Sequence, residues 1–188
     1  DTKKTLACHF QLAEDIDWTK FVASGAFYNT NGNDININLN DETESLAESF
    51  ISMKQLRAED SLDGKNTDGE SYTIKGLTIS QAGNALCRLY TDMDTGKADD
   101  EKKPVGLFAT NYGTIGNLKL DEVQITSSGD YVGSFAGITV YGKDLTGETA
   151  GILENLEVVN DDVDAETASF VKGKSYVGGI TGTLIADS

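Results

Sequence analysis

The sequence predicts an all-β fold, and more specifically a right-handed parallel β-helix, a solenoid with a less regular N-terminal capping segment. Short segments in which apolar and polar residues alternate recur along the second half of the chain. Glycine occurs 20 times and proline once, which is typical of a chain that folds back repeatedly between short strands. Because one such strand cannot bury its apolar face alone, equivalent strands are expected to stack about 4.8 Å apart.

Two short motifs recur and define the repeat. One begins with Val-Gly and the other has the pattern G-x-x-x-N-L. The first occupies residues 105–109, 132–137 and 177–182, and the second occupies residues 113–120 and 151–158. Period-two alternation within the second motif places one set of side chains on a single face of a strand. Stacked copies would then form continuous ladders of Ile, Leu and Val inside the fold.

Glycine and asparagine recur at fixed places in these motifs, and both are interpreted as corner residues. Glycine permits a tight corner or a positive φ where a Cβ atom would clash. Asparagine is expected to stack as a polar ladder at an adjacent corner, a structural rather than a catalytic role. The predicted corner residues are Gly106, Gly133, Gly137, Gly178, Gly182, Asn117 and Asn155.

The chain is expected to form one continuous domain. Residues 1–70 are predicted to supply N-terminal strands and a cap, and residues 71–188 the β-helix repeats. The Val-Gly motif recurs after 27 residues and then after 45, so an insertion is predicted near 138–150. A second excursion is predicted near 81–103. Insertions of this kind are tolerated by a solenoid, since each repeat contacts only its neighbours.

The N-terminal part is less regular. Residues 34–40 read D-I-N-I-N-L-N, which predicts one alternating strand. Residues 43–56 are predicted to form a short helix, because Leu46, Phe50 and Met53 follow helical spacing. This helix would cover the exposed end of the array.

These motifs resemble the repeats of the GLUG family, whose pattern runs approximately Y-V-G-G-hydrophobic-x-G and then G-x-I-x-N-x-x-V. Residues 131–137 and 176–182 match its first half, and the G-x-x-x-N-L copies match its second. Residues 10–18 are similar to the opening that often precedes such repeats. The resemblance implies a bacterial, secreted or surface-attached parallel β-helix used in adhesion, and it carries over no catalytic residue. The sequence departs from the pattern at 138–150 and 92–101.

Composition restricts the possible partners. The chain has 31 acidic and 15 basic residues, for a net charge of −16, which would repel nucleic acid and an anionic bilayer.

The chain has no apolar run of 18 residues, so no transmembrane segment is predicted. The chain begins with Asp1 rather than Met. We therefore expect an extracellular or bacterial surface location, and a chain that belongs to a longer protein or assembly.

Cysteine and histidine are too scarce for most catalytic or zinc chemistry. The chain has two cysteines, Cys8 and Cys87, and one histidine, His9. The sequence leaves open whether these two cysteines form a disulfide or remain separate thiols. Neighbouring residues on a strand point to opposite faces, so Cys8 and His9 are poorly arranged for catalysis.

An acidic segment at residues 92–101 is a candidate for weak calcium binding, and no other cofactor is expected. The candidate ligands are Asp92, Asp94, Asp99 and Asp100. An EF-hand loop is excluded, because its fifth and sixth positions would be Gly96 and Lys97. The alternative is a solvated acidic loop.

Four tyrosines are candidates for a ligand-facing surface: Tyr112, Tyr131, Tyr141 and Tyr176. If exposed along one side they would stack on sugars, and the alternative is packing in corners and core. The leading hypothesis is a noncatalytic module that binds a carbohydrate or a host extracellular-matrix protein. The second is a purely structural spacer in a larger adhesin-like or fimbria-like assembly.

An enzyme that processes polysaccharides is the third hypothesis. Paired carboxylates for glycoside hydrolysis are numerous enough in the sequence. A groove for an acidic polysaccharide would also need basic residues, and the repeats supply only the scattered Lys119, Lys143, Lys172 and Lys174. The enzyme hypothesis is therefore the least favoured of the three.

Overall fold

The computed structural model describes residues 7–18, 53–81, 90–91, 98–99, 104–141, 151–160 and 168–186. These residues form short β-strands joined by turns. The prediction of an all-β fold is confirmed. The strands, in chain order, are β1 (His9–Gln11), β2 (Ile16–Asp17), β3 (Met53–Leu56), β4 (Ser61–Asp63), β5 (Tyr72–Lys75), β6 (Thr78–Gln81), β7 (Tyr90–Thr91), β8 (Ala98–Asp99), β9 (Pro104–Val105), β10 (Phe108–Asn111), β11 (Thr114–Asp121), β12 (Gln124–Ser127), β13 (Tyr131–Val132), β14 (Ala136–Tyr141), β15 (Ile152–Val159), β16 (Phe170–Lys172) and β17 (Thr181–Ala186).

Most of these strands pair in parallel and form four sheets. Sheet 1 has the order β1-β4-β11-β5-β2, with β15 also paired to β11. Sheet 2 has the order β17-β14-β10-β3, sheet 3 the order β16-β12-β6, and sheet 4 joins β13 to β9. Strands β7 and β8 pair with each other in the antiparallel direction.

Apart from β1 and β2, and β4 and β5, which share sheet 1, and apart from the β7–β8 pair, strands that follow one another along the chain lie in different sheets and pair in parallel with a strand of the next repeat. This register divides the strands into five layers. Layer 1 contains β1 and β2, layer 2 contains β3 to β6, layer 3 contains β9 to β12, layer 4 contains β13 to β16, and layer 5 contains β17.

The core lies between the sheets and is made of apolar side chains that stack from layer to layer. In sheet 3, Ile79 pairs with Ile125, and both side chains are fully buried. In sheet 1, Leu118 and Leu120 are buried in the same main cluster. Full burial of one such side chain contributes about 1.5–3 kcal/mol, so the ladders that run through layers 2 to 4 are a major source of stability.

The segment around the predicted helix forms a strand where the structure describes it. Residues 53–56 form β3, which pairs in parallel with β10 so that Leu56 lies beside Asn111. The prediction of helix at this end of residues 43–56 is therefore wrong. Leu56 is buried in the core, and pairing with layer 3 overrides the local helical spacing. Residues 43–52 and the predicted strand at 34–40 lie outside the described residues.

The two predicted excursions differ in outcome. Residues 138–141 belong to β14, which pairs with both β10 and β17, so the predicted insertion is wrong for this part. Residues 142–150 lie outside the described residues. In the segment 81–103, Gln81 ends β6, and the β7–β8 pair is antiparallel, unlike the stacked layers.

The proposed boundary at residue 70 falls inside one layer. Strands β4 and β5 lie on either side of it, and both pair with β11. The residues between them include an antiparallel bridge from Lys65 to Ser71. The stacked architecture therefore begins before residue 70.

The structure bears on two further points, the pairing of the cysteines and the presence of a membrane-spanning helix. Cys8 is exposed just before β1, whereas Cys87 lies outside the described residues, so their pairing stays open. Among the described residues, no helix has the length and apolar character to cross a membrane.

Candidate ligand-binding surface

The Val-Gly motifs bring tyrosine residues of neighbouring layers side by side. Strand β13 pairs in parallel with β9, so Tyr131 lies beside Pro104 and Val132 beside Val105. A further parallel bridge joins Val132 to Val177. Because Tyr131 and Tyr176 each precede one of these paired valines, the register stacks the two tyrosines.

The glycines of the motif are required by close approach between backbones. A Cβ atom at Gly106 would lie 2.7 Å from the Gly133 carbonyl oxygen, and one at Gly182 would lie 2.7 Å from the Gly137 carbonyl oxygen. A Cβ atom at Gly178 would collide with the backbone of Thr181 at the start of β17. Positive φ is not the reason, since among the described glycines it occurs at Gly69 and Gly76, outside the motif.

Tyr131 and Tyr176 form a parallel aromatic stack. Their ring centroids are 4.8 Å apart and the ring planes differ by 5°. Tyr131 is half-buried against a cluster that contains Ile138 and Val140, which holds its ring in place. Tyr176 is 62% exposed. The pair therefore presents a supported aromatic face to solvent, and we call it the tyrosine platform.

Charged groups flank the tyrosine platform. Lys174 Nζ lies 3.3 Å from Asp130 Oδ1, and the lysine side chain is largely exposed. The Lys174 backbone N–H donates to the Gly129 carbonyl oxygen at 3.0 Å. Since Asp130 precedes Tyr131 and Lys174 lies two residues before Tyr176, a hydrogen-bonding donor and an acceptor lie close in sequence to the two rings.

The other two candidate tyrosines lie elsewhere. Tyr112 is 1% exposed and packs with Ile138 and Val140, so its assignment as a ligand-facing residue is wrong. It follows β10, where layer 4 covers it. Tyr141 is 57% exposed at the end of β14. It is accessible, but the only ring stack described for these tyrosines joins Tyr131 to Tyr176.

The two asparagines of the second motif form a side-chain ladder. Asn155 Nδ2 donates to Asn117 Oδ1 at 2.9 Å, and Asn117 Nδ2 donates to Asp63 Oδ1 at 3.0 Å. Both asparagines have left-handed backbone, with φ of 51° at Asn117 and 48° at Asn155. Asparagine tolerates this region better than most residues. The ladder, which extends to Asp63, joins layers 2, 3 and 4.

A buried aspartate just before β4, Asp60, links three layers, and sequence reasoning missed it. Asp60 accepts hydrogen bonds from Arg57 Nε at 2.8 Å and from the Cys8 backbone N–H at 2.9 Å. Its own carbonyl oxygen accepts from the Thr114 N–H at 3.1 Å. The hydrogen bond from the Arg57 guanidinium lowers the pKa of Asp60, and the same bond raises the pKa of Arg57. The opposite charges at spacing i, i+3 were the available signal.

A second ionic contact stabilises the turn between sheets 1 and 3. Lys75 Nζ lies 2.9 Å from Glu122 Oε1 and 3.8 Å from Asp121 Oδ2, and both carboxylate residues are largely buried. Glu122 has φ of 53°, and Gly76, which follows the residue paired to Asp121, has φ of 71°. The turn thus requires left-handed backbone in both layers.

The acidic calcium candidates lie mostly outside the described residues. Asp99 belongs to β8 and pairs with Tyr90, whereas Asp92, Asp94 and Asp100 have no described position. Within the parts of the chain that the structure describes, no three acidic, histidine or cysteine residues group as a metal site. The calcium hypothesis stays a prediction.

In comparisons with known proteins, no family model matches the chain, and neither the curated proteins nor the solved structures contain a match. The class of the protein is therefore defined by its own structure, an all-β fold of many short parallel strands in several sheets.

Proposed function

We propose that the chain is a noncatalytic, secreted or surface-displayed module that binds a carbohydrate on the tyrosine platform. The observation that carries this proposal is the parallel stack of Tyr131 and Tyr176 with a 62% exposed outer ring. An exposed aromatic ring offers a flat apolar surface to the C–H face of a pyranose. Asp130 and Lys174, which form an ion pair with each other, lie close in sequence to the two tyrosines.

The architecture we propose for this module is a right-handed parallel β-helix. Its support is the parallel pairing of strands between successive layers, in which most consecutive strands enter different sheets. Parallel crossover connections are right-handed in nearly all known sheets. The resemblance to GLUG repeats points the same way, since its Tyr and Asn positions coincide with the tyrosine platform and the asparagine ladder.

The noncatalytic character is supported by the use of the buried charges. Asp60 is engaged by Arg57 and by backbone N–H groups, while Asp121 and Glu122 face Lys75. Each of these carboxylates holds a turn together. Catalytic carboxylates, by contrast, need access to a substrate bond.

Location at the bacterial surface, or secretion, is supported by the acidic composition and by the family resemblance. A host extracellular-matrix protein is the other ligand class consistent with a surface module, and acidic repulsion disfavours nucleic acid.

A purely structural spacer is the second candidate function. It is favoured by the exposure of Val177 and Leu184 in the last layer, at positions where a stacked neighbour would fit.

The test is retention of the purified chain on an array of glycans and extracellular-matrix proteins, with and without calcium. We expect Tyr176→Ala to weaken glycan binding about twofold to tenfold, because it removes one aromatic contact of about 0.5–1.5 kcal/mol. Tyr141→Ala is the matched control, since Tyr141 is 57% exposed and lies at the end of a different strand, β14.

The outcomes separate the hypotheses. Equal loss in both tyrosine variants would contradict the tyrosine platform as the binding site. No retention of the unmodified chain on any ligand would favour the spacer. Retention that requires calcium would direct attention to Asp92, Asp94, Asp99 and Asp100.

A further inference from the structure

Backbone hydrogen bonds between layers 4 and 5 hold the rings of Tyr131 and Tyr176 together. The Val132 N–H donates to the Tyr176 carbonyl oxygen at 3.1 Å, and the Gly178 N–H donates to the Val132 carbonyl oxygen at 3.0 Å. These bonds form the parallel bridge from Val132 to Val177. The two tyrosines therefore lie on segments whose register is fixed, and the contact between their rings is set by the fold.

The backbone of Tyr176 has an unfavourable conformation that its contacts maintain. Its φ is 51°, in the left-handed region that is costly for a residue with a Cβ atom. Tyr131, at the equivalent position of layer 4, does not have a positive φ. Such strain persists only where surrounding contacts compensate for it. The hydrogen bond to the Tyr176 carbonyl oxygen and the ring stack are contacts of this kind, so the rings stay paired.

Two phenol rings in contact can be joined by oxidation. Loss of one electron and the hydroxyl proton converts a phenol into a phenoxyl radical, and the unpaired electron lies partly on the carbons ortho to the oxygen. When two radicals meet, two ortho carbons form a C–C bond. The ring centroids of Tyr131 and Tyr176 are 4.8 Å apart and the ring planes differ by 5°. The fold therefore makes this encounter intramolecular, which favours it strongly.

The net charge of the chain disfavours the competing reaction between two copies. At −16, two copies repel each other over most of their surfaces, so radicals on different copies meet less often than the two rings of one copy. Tyr141 is also exposed, but among the residues that the structure describes no ring stacks on it. A radical formed on Tyr141 has no stacked phenol as a partner, so coupling is directed to the Tyr131–Tyr176 pair.

We propose that Tyr131 and Tyr176 are a site of oxidative cross-linking, at which a C–C bond between ortho carbons joins layers 4 and 5 covalently. The oxidant is hydrogen peroxide, activated by a haem peroxidase. Each phenol loses one electron and one proton, the two radicals couple, and the two ortho hydrogens move as protons to the phenolic oxygens. The peroxide takes up the two electrons and two protons and becomes two molecules of water. The product is a biphenol that has lost two hydrogen atoms.

The cross-link would stabilise the pairing of the two layers. Tyr131 and Tyr176 are 45 residues apart in the sequence, and a covalent bond that closes a loop of this length restricts the unfolded chain more than the folded one. The proposal does not depend on glycan binding, since it needs only the contact between the two rings.

The test is treatment of the purified full chain with hydrogen peroxide and a haem peroxidase, followed by intact-mass measurement and peptide mapping. We expect a product of monomer size that has lost two hydrogen atoms, and a linked pair of peptides that contain Tyr131 and Tyr176. Tyr176→Phe should lower the yield of this product at least about tenfold, because phenylalanine keeps the ring but has no hydroxyl group to oxidise. Tyr141→Phe is the matched control and should leave the yield unchanged.

The dependence on chain concentration provides a test that needs no variant. Because the coupling takes place within one chain, the fraction of chain converted should not change when the chain is diluted at constant oxidant. A chain that gives no linked pair of these two peptides, or that couples chiefly between copies, would overturn the proposal. So would a Tyr141→Phe variant that loses the product as fully as Tyr176→Phe.

Discussion

Replacement of Asp60 by alanine tests whether one buried carboxylate joins the N-terminal layers. Its oxygens accept from two backbone N–H groups, Cys8 at 2.9 Å and Arg57 at 3.3 Å, besides the Arg57 side chain. A net contribution of about 1 kcal/mol for each backbone bond gives an expected loss of about 2 kcal/mol in Asp60→Ala. This figure does not include the hydrogen bonds from the Arg57 guanidinium, because that side chain is exposed to solvent.

The effect of pH follows from the direction of the pKa shift. The Arg57 hydrogen bond lowers the pKa of Asp60 in the folded protein, so the unfolded chain binds the proton first as pH falls. The contribution is therefore complete above the unfolded value of about 3.9 and is lost as pH falls through the lower folded value. The difference between wild type and Asp60→Ala should be largest near neutral pH and shrink in acid.

The assay is chemical unfolding followed by far-ultraviolet circular dichroism at neutral and acidic pH. We expect a lower denaturant midpoint for Asp60→Ala at neutral pH, with the two curves converging in acid. Asp130→Ala is the control, because its partner Lys174 is largely exposed and such pairs contribute at most about 1 kcal/mol. Equal midpoints at neutral pH, or a difference that persists in acid, would refute the reasoning.

Four further substitutions, at three positions of the repeated motifs, test their packing by thermal unfolding. Gly133→Ala should lose about 1–3 kcal/mol, because its Cβ atom would lie 2.6 Å from Thr181 Cα. Gly179→Ala, with no atom within 4 Å of the added Cβ, should change stability by less than about 0.5 kcal/mol. Asn117→Ala should lose about 2 kcal/mol through the ladder to Asp63 and a left-handed φ of 51°. Asn117→Gly should lose less, and a larger loss for glycine would show that backbone strain is unimportant there.

Part of the candidate site was predictable because it depends on the repeat. A glycine or asparagine that recurs at one place in successive copies must stack if the copies stack, so Asn117 and Asn155 were correctly predicted to form a ladder. The extension of that ladder to Asp63 was not predictable. Residues 64–71 separate Asp63 from Tyr72, whereas only Asn117 separates their partner residues in β11, so the sequence does not reveal that Asp63 aligns beside Asn117.

Local patterns failed where long-range pairing decides the outcome. The spacing of Leu46, Phe50 and Met53 satisfies a helix, yet Met53 begins a strand because β10 offers a parallel partner. The exposure of the tyrosines is likewise decided by other layers. Tyr112 is buried under layer 4, whereas Tyr176 lies in the outermost described layer.

The sequence by itself determined that this chain is all-β and that its strands are short. These properties follow from alternation and from residue preferences that act over a few positions. Only the tertiary structure decided the register between layers and which tyrosines are exposed. Each of these depends on a neighbouring layer that is distant in sequence, and burial is a property of that contact rather than of the local segment.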